Sequence, residues 1–227
     1  FTKSHFDWDW SGAEAEYKRA IELSPSSSLA RLRHAELLTA IGRHDDAIAE
    51  IRKAQKLDPL SLLVASNLGR FLYYARRYDE AISELQKVLA VDPTRVYSRL
   101  FLGMTYAQKG LNKEALREFQ KMSALPATDN RVDLAYAYAR SGERTKALHL
   151  AQEVEREDLR HNDQTDWYFL AGIYAAMGEK NVAFRCLEKA FANRDFFLSF
   201  IKVDPVMDPL RSDPRFQNIV RSVGLPE

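Results

Sequence analysis

Three short stretches decide the fold of this 227-residue chain: LSPSS at 23–27, LDPLS at 57–61 and VDPTR at 91–95. Their prolines recur at intervals of 34 residues, and a similar amphipathic segment precedes each one: AEAEYKRAIEL, AIAEIRKAQKL and AISELQKVLAV. Self-similarity at one fixed period of this length is typical of proteins built from stacked structural repeats. The sequence therefore predicts a repeated helical unit of 34 residues.

Small residues recur with the same period inside the repeated segments. An alanine opens the inner face of each helix and a large apolar side chain follows one turn later: Ala13 with Tyr17, Ala47 with Ile51, and Ala81 with Leu85. The whole chain has only 9 glycines and 8 prolines, so few residues interrupt helices. Alternating runs of β-branched residues are missing. We therefore predict an all-α fold.

The repeat resembles the tetratricopeptide repeat, whose helix A carries W-x-x-L-G-x-x-Y and whose helix B carries A-x-x-x-F before a proline. Later copies carry more of this pattern: Leu102, Gly103, Tyr106, Gly110, Ala115 and Phe119; then Leu134, Ala135, Tyr138, Gly142 and Ala147; then Trp167, Leu170, Ala171, Tyr174, Gly178, Ala183, Leu187 and Ala190. The resemblance covers about residues 6–195. It implies a tetratricopeptide-type α-solenoid, a right-handed superhelix of antiparallel helix pairs with a C-terminal helical cap.

Deviations from the repeat set the expected boundaries. We predict one partial and five complete repeats over residues 1–195, and capping helices over 196–227. Spacing drifts between the later copies, where Pro126 is displaced, and the loops 123–129 and 155–165 are expected to absorb the drift. In the third copy Arg76 and Arg77 replace the usual glycine turn, which predicts a strained or differently capped turn.

Both ends of the chain depart from the repeat. Residues 1–6 are expected to be the tail of a truncated helix A, after which Trp8 and Trp10 cover the exposed end of the solenoid or anchor a preceding domain. Aspartate precedes proline at 204, 208 and 213, which predicts short helices that begin near Pro205 and Pro214. A closing helix follows from the apolar spacing of Phe216, Ile219, Val220 and Val223.

Composition and motifs exclude several classes of function. With 33 Lys+Arg against 32 Asp+Glu the net charge is +1, without the basic excess of nucleic-acid-binding proteins. No apolar run approaches the roughly 20 residues of a membrane helix. His5, His34, His44, His149 and His161 lack metal-site or catalytic spacing, although the last two lie near Glu153, Asp158 and Asp163. No glycine-rich phosphate loop or nucleophile motif occurs. We expect no catalysis, cofactor or metal, and a buried, inert Cys186.

The concave surface of such a solenoid is lined by the A helices and is the natural binding face. The predicted groove comprises Arg33, Asn67, Arg70, Tyr74, Phe101, Met104, Gln108, Asp133, Tyr136 and Arg140. Central aromatic rings among amides and charges suit an extended peptide or a helix. The alternative is that some of these side chains, Phe101 and Phe169 in particular, pack against neighbouring A helices.

The carboxylate clamp of chaperone-binding tetratricopeptide domains needs lysine and asparagine on the first A helix. The matching positions here are Leu32 and Glu36, and Glu36 would repel a terminal carboxylate. We therefore reject a co-chaperone function of that type. Asn67 and Arg70 could still hold an internal acidic residue of a partner.

The ends FDWDWSGAEAEYKRAIEL and DPLRSDPRFQNIVRSVGLP are similar to C-terminal repeat regions of bacterial multidomain regulators with a winged-helix, cyclase or protein-kinase module. This resemblance implies a cytoplasmic regulatory context, and the initial Phe1 suggests a fragment. The leading hypothesis is a protein-interaction scaffold that binds a protein, a peptide or another domain of the same chain. The alternative is a small-ligand sensor with an enclosed pocket near Tyr74, Phe101 and Tyr136. An enzyme would need a cluster of groups with mutually perturbed acidity, and the sequence offers none.

Overall fold

The computed structural model describes residues 8–125, 128–161 and 166–226, without the side chains of residues 158–161. The predictions for residues 1–6, for Pro126 and for Asp163 lie outside these residues, as do those for His5 and for the side chains of Asp158 and His161. The expected adjustment of the loops 123–129 and 155–165 lies partly outside them.

The described residues form twelve α-helices and two 3-10 helices, with no strand among them. The prediction of an all-α fold is confirmed. The helices are α1 Trp10–Leu23, α2 Ser28–Ala40, α3 His44–Leu57, α4 Leu62–Tyr74, α5 Tyr78–Val91, α6 Val96–Gln108, α7 Asn112–Ser123, α8 Arg131–Arg140, α9 Arg144–His161, α10 Trp167–Ala176 and α11 Lys180–Ala192, then 3-10 helices Phe196–Phe200 and Pro205–Leu210, and α12 Pro214–Ser222.

Helix α1 precedes five antiparallel pairs that stack as an α-solenoid: α2 with α3, α4 with α5, α6 with α7, α8 with α9, and α10 with α11. In the first two pairs helix A begins at a serine cap. Ser27 accepts a hydrogen bond from the amide of Ala30, and Ser61 accepts one from the amide of Val64. The division into an array over 1–195 and a cap over 196–227 stays a prediction.

Small residues bring the two helices of a pair together. A Cβ on Gly69 would lie 2.5 Å from Leu85 Cδ2, and one on Gly103 would lie 2.4 Å from Phe119 Cε1. The repeated alanines of the B helices, of which Ala81 is one, are completely buried. The 34-residue pattern of small residues therefore marks the closest helix contacts, as the sequence indicated.

The turn between α4 and α5 is strained, as predicted from its two arginines. Arg76 has a φ of +60°, where the corresponding residue of the preceding pair is Gly42 with a φ of +86°. The same hydrogen bond closes both turns: the Arg77 amide donates to Leu72 O (2.9 Å), and the Arg43 amide donates to Leu38 O (2.8 Å). A left-handed arginine costs conformational energy that glycine does not.

The chain turns back after α11 and crosses the concave side of the solenoid. We call residues 196–211 the groove segment. Its first 3-10 helix contacts α2 and its second contacts α10, where Gly172 lets Val206 approach closely. The predicted helix starts at Pro205 and Pro214 are confirmed, each with an aspartate as cap.

The cap has two parts with different contacts. Helix α12 packs against α11, where the Arg215 guanidinium lies 4.1 Å from the centre of the Phe184 ring. This part covers the last repeat, as expected. The groove segment instead lies across several repeats: Phe200 stacks on Tyr74 of α4, and the two 3-10 helices contact α2 and α10.

The two tryptophans near the start of the chain contact its C-terminal end. The Trp10 indole donates a hydrogen bond to Val223 O (3.0 Å), and the Trp8 ring lies 5.2 Å from that of Phe191, with the Arg194 guanidinium above it. They therefore join the start of the described chain to α11 and to the end of α12. Among the described helices, none combines the length and the apolar composition of a membrane span.

Candidate functional site

The predicted groove residues do lie on the concave side, but most of them are covered. Seven of the ten are buried: Asn67, Arg70, Tyr74, Phe101, Met104, Asp133 and Tyr136. Arg33, Gln108 and Arg140 are half-buried. The groove is therefore not open in this conformation, and the groove segment packs against Tyr74 and Arg70 through Phe200. The role of these residues in binding stays a prediction.

An aromatic cluster holds the groove segment at α4. The rings of Tyr74 and Phe200 are stacked, with 5.0 Å between centroids and an interplanar angle of 0°. Phe101 packs edge-on against Tyr73, Tyr74 and Tyr97, with centroid distances of 5.0 to 6.0 Å. Phe101 thus packs against a neighbouring A helix, the alternative left open by the sequence. Edge-on and offset contacts of this kind add to the burial of apolar area.

Arg70 is committed to contacts within the chain. Its guanidinium forms an ion pair with Glu36 and lies 5.1 Å from the centre of the Phe200 ring. Asn67 donates to the carbonyl of Leu63 (2.9 Å). In this conformation both side chains are therefore engaged within the chain, and the suggestion that Asn67 and Arg70 hold an acidic partner residue stays a prediction. The sequence already contained a sign of this ion pair, since Glu36 and Arg70 carry opposite charges and lie one repeat of 34 residues apart.

A buried carboxylate fixes the middle of the groove segment. Asp204 accepts hydrogen bonds from the hydroxyls of Tyr73 (3.1 Å) and Tyr168 (3.0 Å), and from the amide of Val206 (3.0 Å). Burial raises the pKa of Asp204 to about 6, while these three hydrogen bonds act in the opposite direction. One carboxyl group therefore links α4, α10 and the groove segment.

An ion-pair cluster fixes the end of the groove segment at the strained turn. Both terminal nitrogens of Arg76 donate to the carboxylate of Asp208 at 2.7 Å, and Arg211 Nε donates to the same group at 2.6 Å. Arg211 also donates to the backbone carbonyls of Lys202 and Asp204. These bidentate contacts are the strongest kind of surface ion pair.

Gln108, Tyr136 and Arg140 also form hydrogen bonds within the chain. Gln108 Nε2 donates to the hydroxyl of Tyr136 (2.8 Å), and Arg140 donates to the carbonyl of Ala107 (3.0 Å). Asp133 is buried near Asp166 and Asp129, and burial with these two charges raises its pKa to about 8. The groove amides and charges thus serve internal contacts in this conformation.

An accessible cleft remains beside the groove segment. It has two adjoining cavities of about 440 and 470 Å³, and Lys202 and Arg211 line both of them. The first cavity reaches His44 and Arg76, and the second reaches Arg221. Sequence reasoning missed this cleft because its walls come from parts of the chain with no shared pattern.

The sequence singled out Cys186 and His149 as residues to test for reactivity and metal binding. Burial raises the pKa of the Cys186 thiol to about 12, so its reactive thiolate is scarce at neutral pH. His149 lies 3.6 Å from Glu153 on an exposed helix face. Within the described ranges, no group of three or more His, Cys, Asp and Glu side chains is placed to hold a metal ion.

Two family models described as tetratricopeptide repeat match the chain, at residues 9–61 and 72–137, which together are just over half of it. No curated protein matches the chain. Solved structures with a similar fold include a tetratricopeptide repeat protein from Parabacteroides merdae, with a TM-score of 0.61 and 15% identity over 100% of this chain and 92% of that one.

Two further similar structures are PilW and MamA. PilW, described as a widely conserved type IV pilus biogenesis factor, has a TM-score of 0.59 and 23% identity over 86% of this chain and 90% of that one. MamA has a TM-score of 0.55 and 22% identity over 71% and 96%. At these identities the likeness shows the fold alone.

Proposed function

The chain belongs to the tetratricopeptide repeat family, and we propose that it is a non-catalytic protein-interaction scaffold whose concave face binds a peptide segment. One observation carries this proposal: the concave face already holds a segment made of two short 3-10 helices, residues 196–211 of the chain itself. A partner would bind the same face once the groove segment has moved away.

The contacts of the groove segment indicate what this face recognises. Three anchors occur at intervals of four residues: Phe200, Asp204 and Asp208. The first stacks on an aromatic ring, the second accepts hydrogen bonds from two tyrosine hydroxyls, and the third pairs with an arginine. Such a face suits a partner segment with one aromatic and two acidic side chains.

In this proposal the predicted groove residues bind a partner in an opened state, in which the groove segment has moved away from the concave face. There Arg70, Tyr74, Phe101 and Tyr136 would be available to a partner. From the resemblance to bacterial regulators inferred from the sequence of both chain ends, we further propose that the chain is the cytoplasmic regulatory region of a larger regulator. Its partner would be a protein, a peptide or another domain of the same chain.

The alternative function, a sensor that closes around a metabolite, has less support. That hypothesis predicts an enclosed pocket near Tyr74, Phe101 and Tyr136. The Phe200 ring occupies the space beside Tyr74, and Gln108 bonds to Tyr136. The polar and apolar groups that would hold a metabolite are thus engaged within the chain.

The test loosens the groove segment without disturbing the core. Asp208→Asn weakens the half-exposed ion pair with Arg76, and Glu80→Gln weakens the comparable pair with Arg77 on the outer side. We expect Asp208→Asn to recover more of a specific partner from a lysate than the wild type does, and Glu80→Gln to change nothing. The identified partner should then speed amide hydrogen exchange in residues 196–211. Equal recovery by all three proteins, with unchanged exchange in 196–211, would contradict the proposal.

A further inference from the structure

The cleft beside the groove segment is basic. Its cationic lining residues are Arg76, Lys202, Arg211 and Arg221, beside His44, and no aspartate or glutamate is among the described residues that line either cavity. The net charge of the chain is only +1, so this excess is local. A cleft lined by one sign of charge attracts groups of the opposite sign.

Neutral acceptors hold two of these cations in place. Lys202 Nζ donates to the carbonyl of Pro226, and Arg221 donates to Asn218 Oδ1 (2.6 Å). Neutral oxygens fix the position of a cation without cancelling its charge. The carboxylate of Asp208 offsets part of the charge of Arg76 and Arg211, but within the described residues no carboxylate is seen to pair with Lys202 or Arg221.

The other walls of the cleft are largely apolar. Val203 lies in the first cavity, and Phe216, Val220 and Leu225 lie in the second. Apolar walls beside a few fixed cations suit a peptide with alternating acidic and apolar side chains. A nucleic acid fits less well, because its affinity depends on neutralising many phosphates along an extended basic surface.

We propose that this cleft, the basic cleft, docks an extended acidic peptide segment of a partner protein, with carboxylates facing Lys202 and Arg221. The proposal rests on the scaffold function but uses a different surface. The basic cleft is accessible while the groove segment stays in place, so docking there needs no opening of the concave face.

The test measures binding of a fluorescent twelve-residue peptide, three repeats of Glu-Leu-Glu-Ser, by anisotropy at low and physiological salt. The probe with lysine in place of glutamate is the control for charge sign. We expect the acidic peptide to bind and the basic one not to. Lys202→Gln with Arg221→Gln should weaken binding about fivefold to tenfold, as expected for two partly screened ion pairs.

A matched variant, Lys53→Gln with Lys87→Gln, removes the same charge from exposed positions on the outer helices. We expect it to bind the acidic peptide like the wild type. An equal loss in both variants, or equal binding of the basic peptide, would overturn the proposal, as would tighter binding of a thymidine oligonucleotide. If the double variant folds poorly, Arg221→Gln alone is used, because Arg221 is exposed. Its loss of acidic-peptide binding is then compared with that of the outer-helix variant.

The two proposals fail in different ways. If the groove does not bind partners, Asp208→Asn leaves recovery of a partner unchanged while the acidic peptide still binds through Lys202 and Arg221. If the basic cleft is not a docking site, peptide binding is independent of those two residues, whatever Asp208→Asn does. The pair of experiments therefore separates the two surfaces.

Discussion

The ring of Phe200 lies parallel to the ring of Tyr74, with 5.0 Å between their centroids. Tyr74 ends an A helix on the concave face, and Phe200 ends the first 3-10 helix of the groove segment. Both side chains are buried, with exposed fractions of 1% for Tyr74 and 0% for Phe200. The concave face is therefore part of the hydrophobic core in this conformation.

Replacing Phe200 by alanine should destabilise the protein by about 3 to 5 kcal/mol, because it leaves a cavity beside Tyr74 and removes the ring under the Arg70 guanidinium. Denaturant unfolding gives the free energy. Phe191→Ala, at a half-buried ring that contacts Trp8, is the control and should cost less. A larger loss for Phe191→Ala would mean that the stack contributes little.

Asp204→Ala should cost about 2 to 4 kcal/mol, because it leaves the buried hydroxyls of Tyr73 and Tyr168 without their acceptor. Asp204→Asn keeps one acceptor oxygen and should cost less. Calorimetric melting temperatures of both variants check the order. If the alanine variant melted at or above the asparagine variant, the hydrogen bonds would not be what holds the segment.

Trp10→Phe should lower stability by about 1 kcal/mol, because it removes the indole hydrogen bond to Val223 O but keeps an aromatic ring. Hydrogen exchange should become faster in residues 220–226. Trp167→Phe, at a buried tryptophan of α10, is the matched control. It should leave exchange in 220–226 close to that of the wild type, and an equal effect would refute a direct link between the two ends.

The helical stack could be predicted from the sequence because the same helix contacts recur in every repeat. A small residue at the helix contact, such as Ala81 or Gly103, is needed wherever two helices approach closely, so it recurs with the repeat. The start of α12 followed from local chemistry, since aspartate before Pro214 caps a helix without help from the rest of the chain.

The filled groove could not be predicted in the same way. Asp204 is bonded to Tyr73 and Tyr168, which lie in two different repeats, and no periodic signal links these three positions. The aspartates before proline also have a local explanation as helix caps, which concealed the tertiary contacts of Asp204 and Asp208. A stripe of aromatic residues on the concave face is equally compatible with an open groove and with a covered one.

Gly103→Ala should destabilise the protein by about 1 to 3 kcal/mol, because the new Cβ would lie 2.4 Å from a ring carbon of Phe119, which is completely buried. Gly69→Ala places a Cβ 2.5 Å from Cγ and Cδ2 of Leu85, and it should cost less because a leucine side chain can change rotamer more easily than a buried ring can. Chemical denaturation of both variants gives the two losses of unfolding free energy. Equal stability of wild type and Gly103→Ala would mean that the helices separate easily.

The pKa of Asp133 gives the protein a distinctive pH dependence. Burial, with the charges of Asp166 and Asp129, raises its pKa in the folded state to about 8, from an ordinary value of 3.8. The folded state therefore binds this proton more tightly than the unfolded chain does. The resulting stability is complete below about pH 4 and is lost as the pH rises to 8.

Asp133 dominates the window from pH 6.5 to 8, because the raised pKa values of Asp204 and Asp166, each about 6, lie below it, and burial lowers the pKa values of His34 and His44. In this window the wild type should lose about 1 to 2 kcal/mol of unfolding free energy, at a slope near one proton per molecule. Asp133→Asn cannot ionise, so its stability should stay nearly constant and exceed that of the wild type at pH 8. Denaturant unfolding at pH 6.5, 7.2 and 8 gives both slopes. Parallel slopes for the two proteins would show that Asp133 is already ionised in the folded state at pH 6.5.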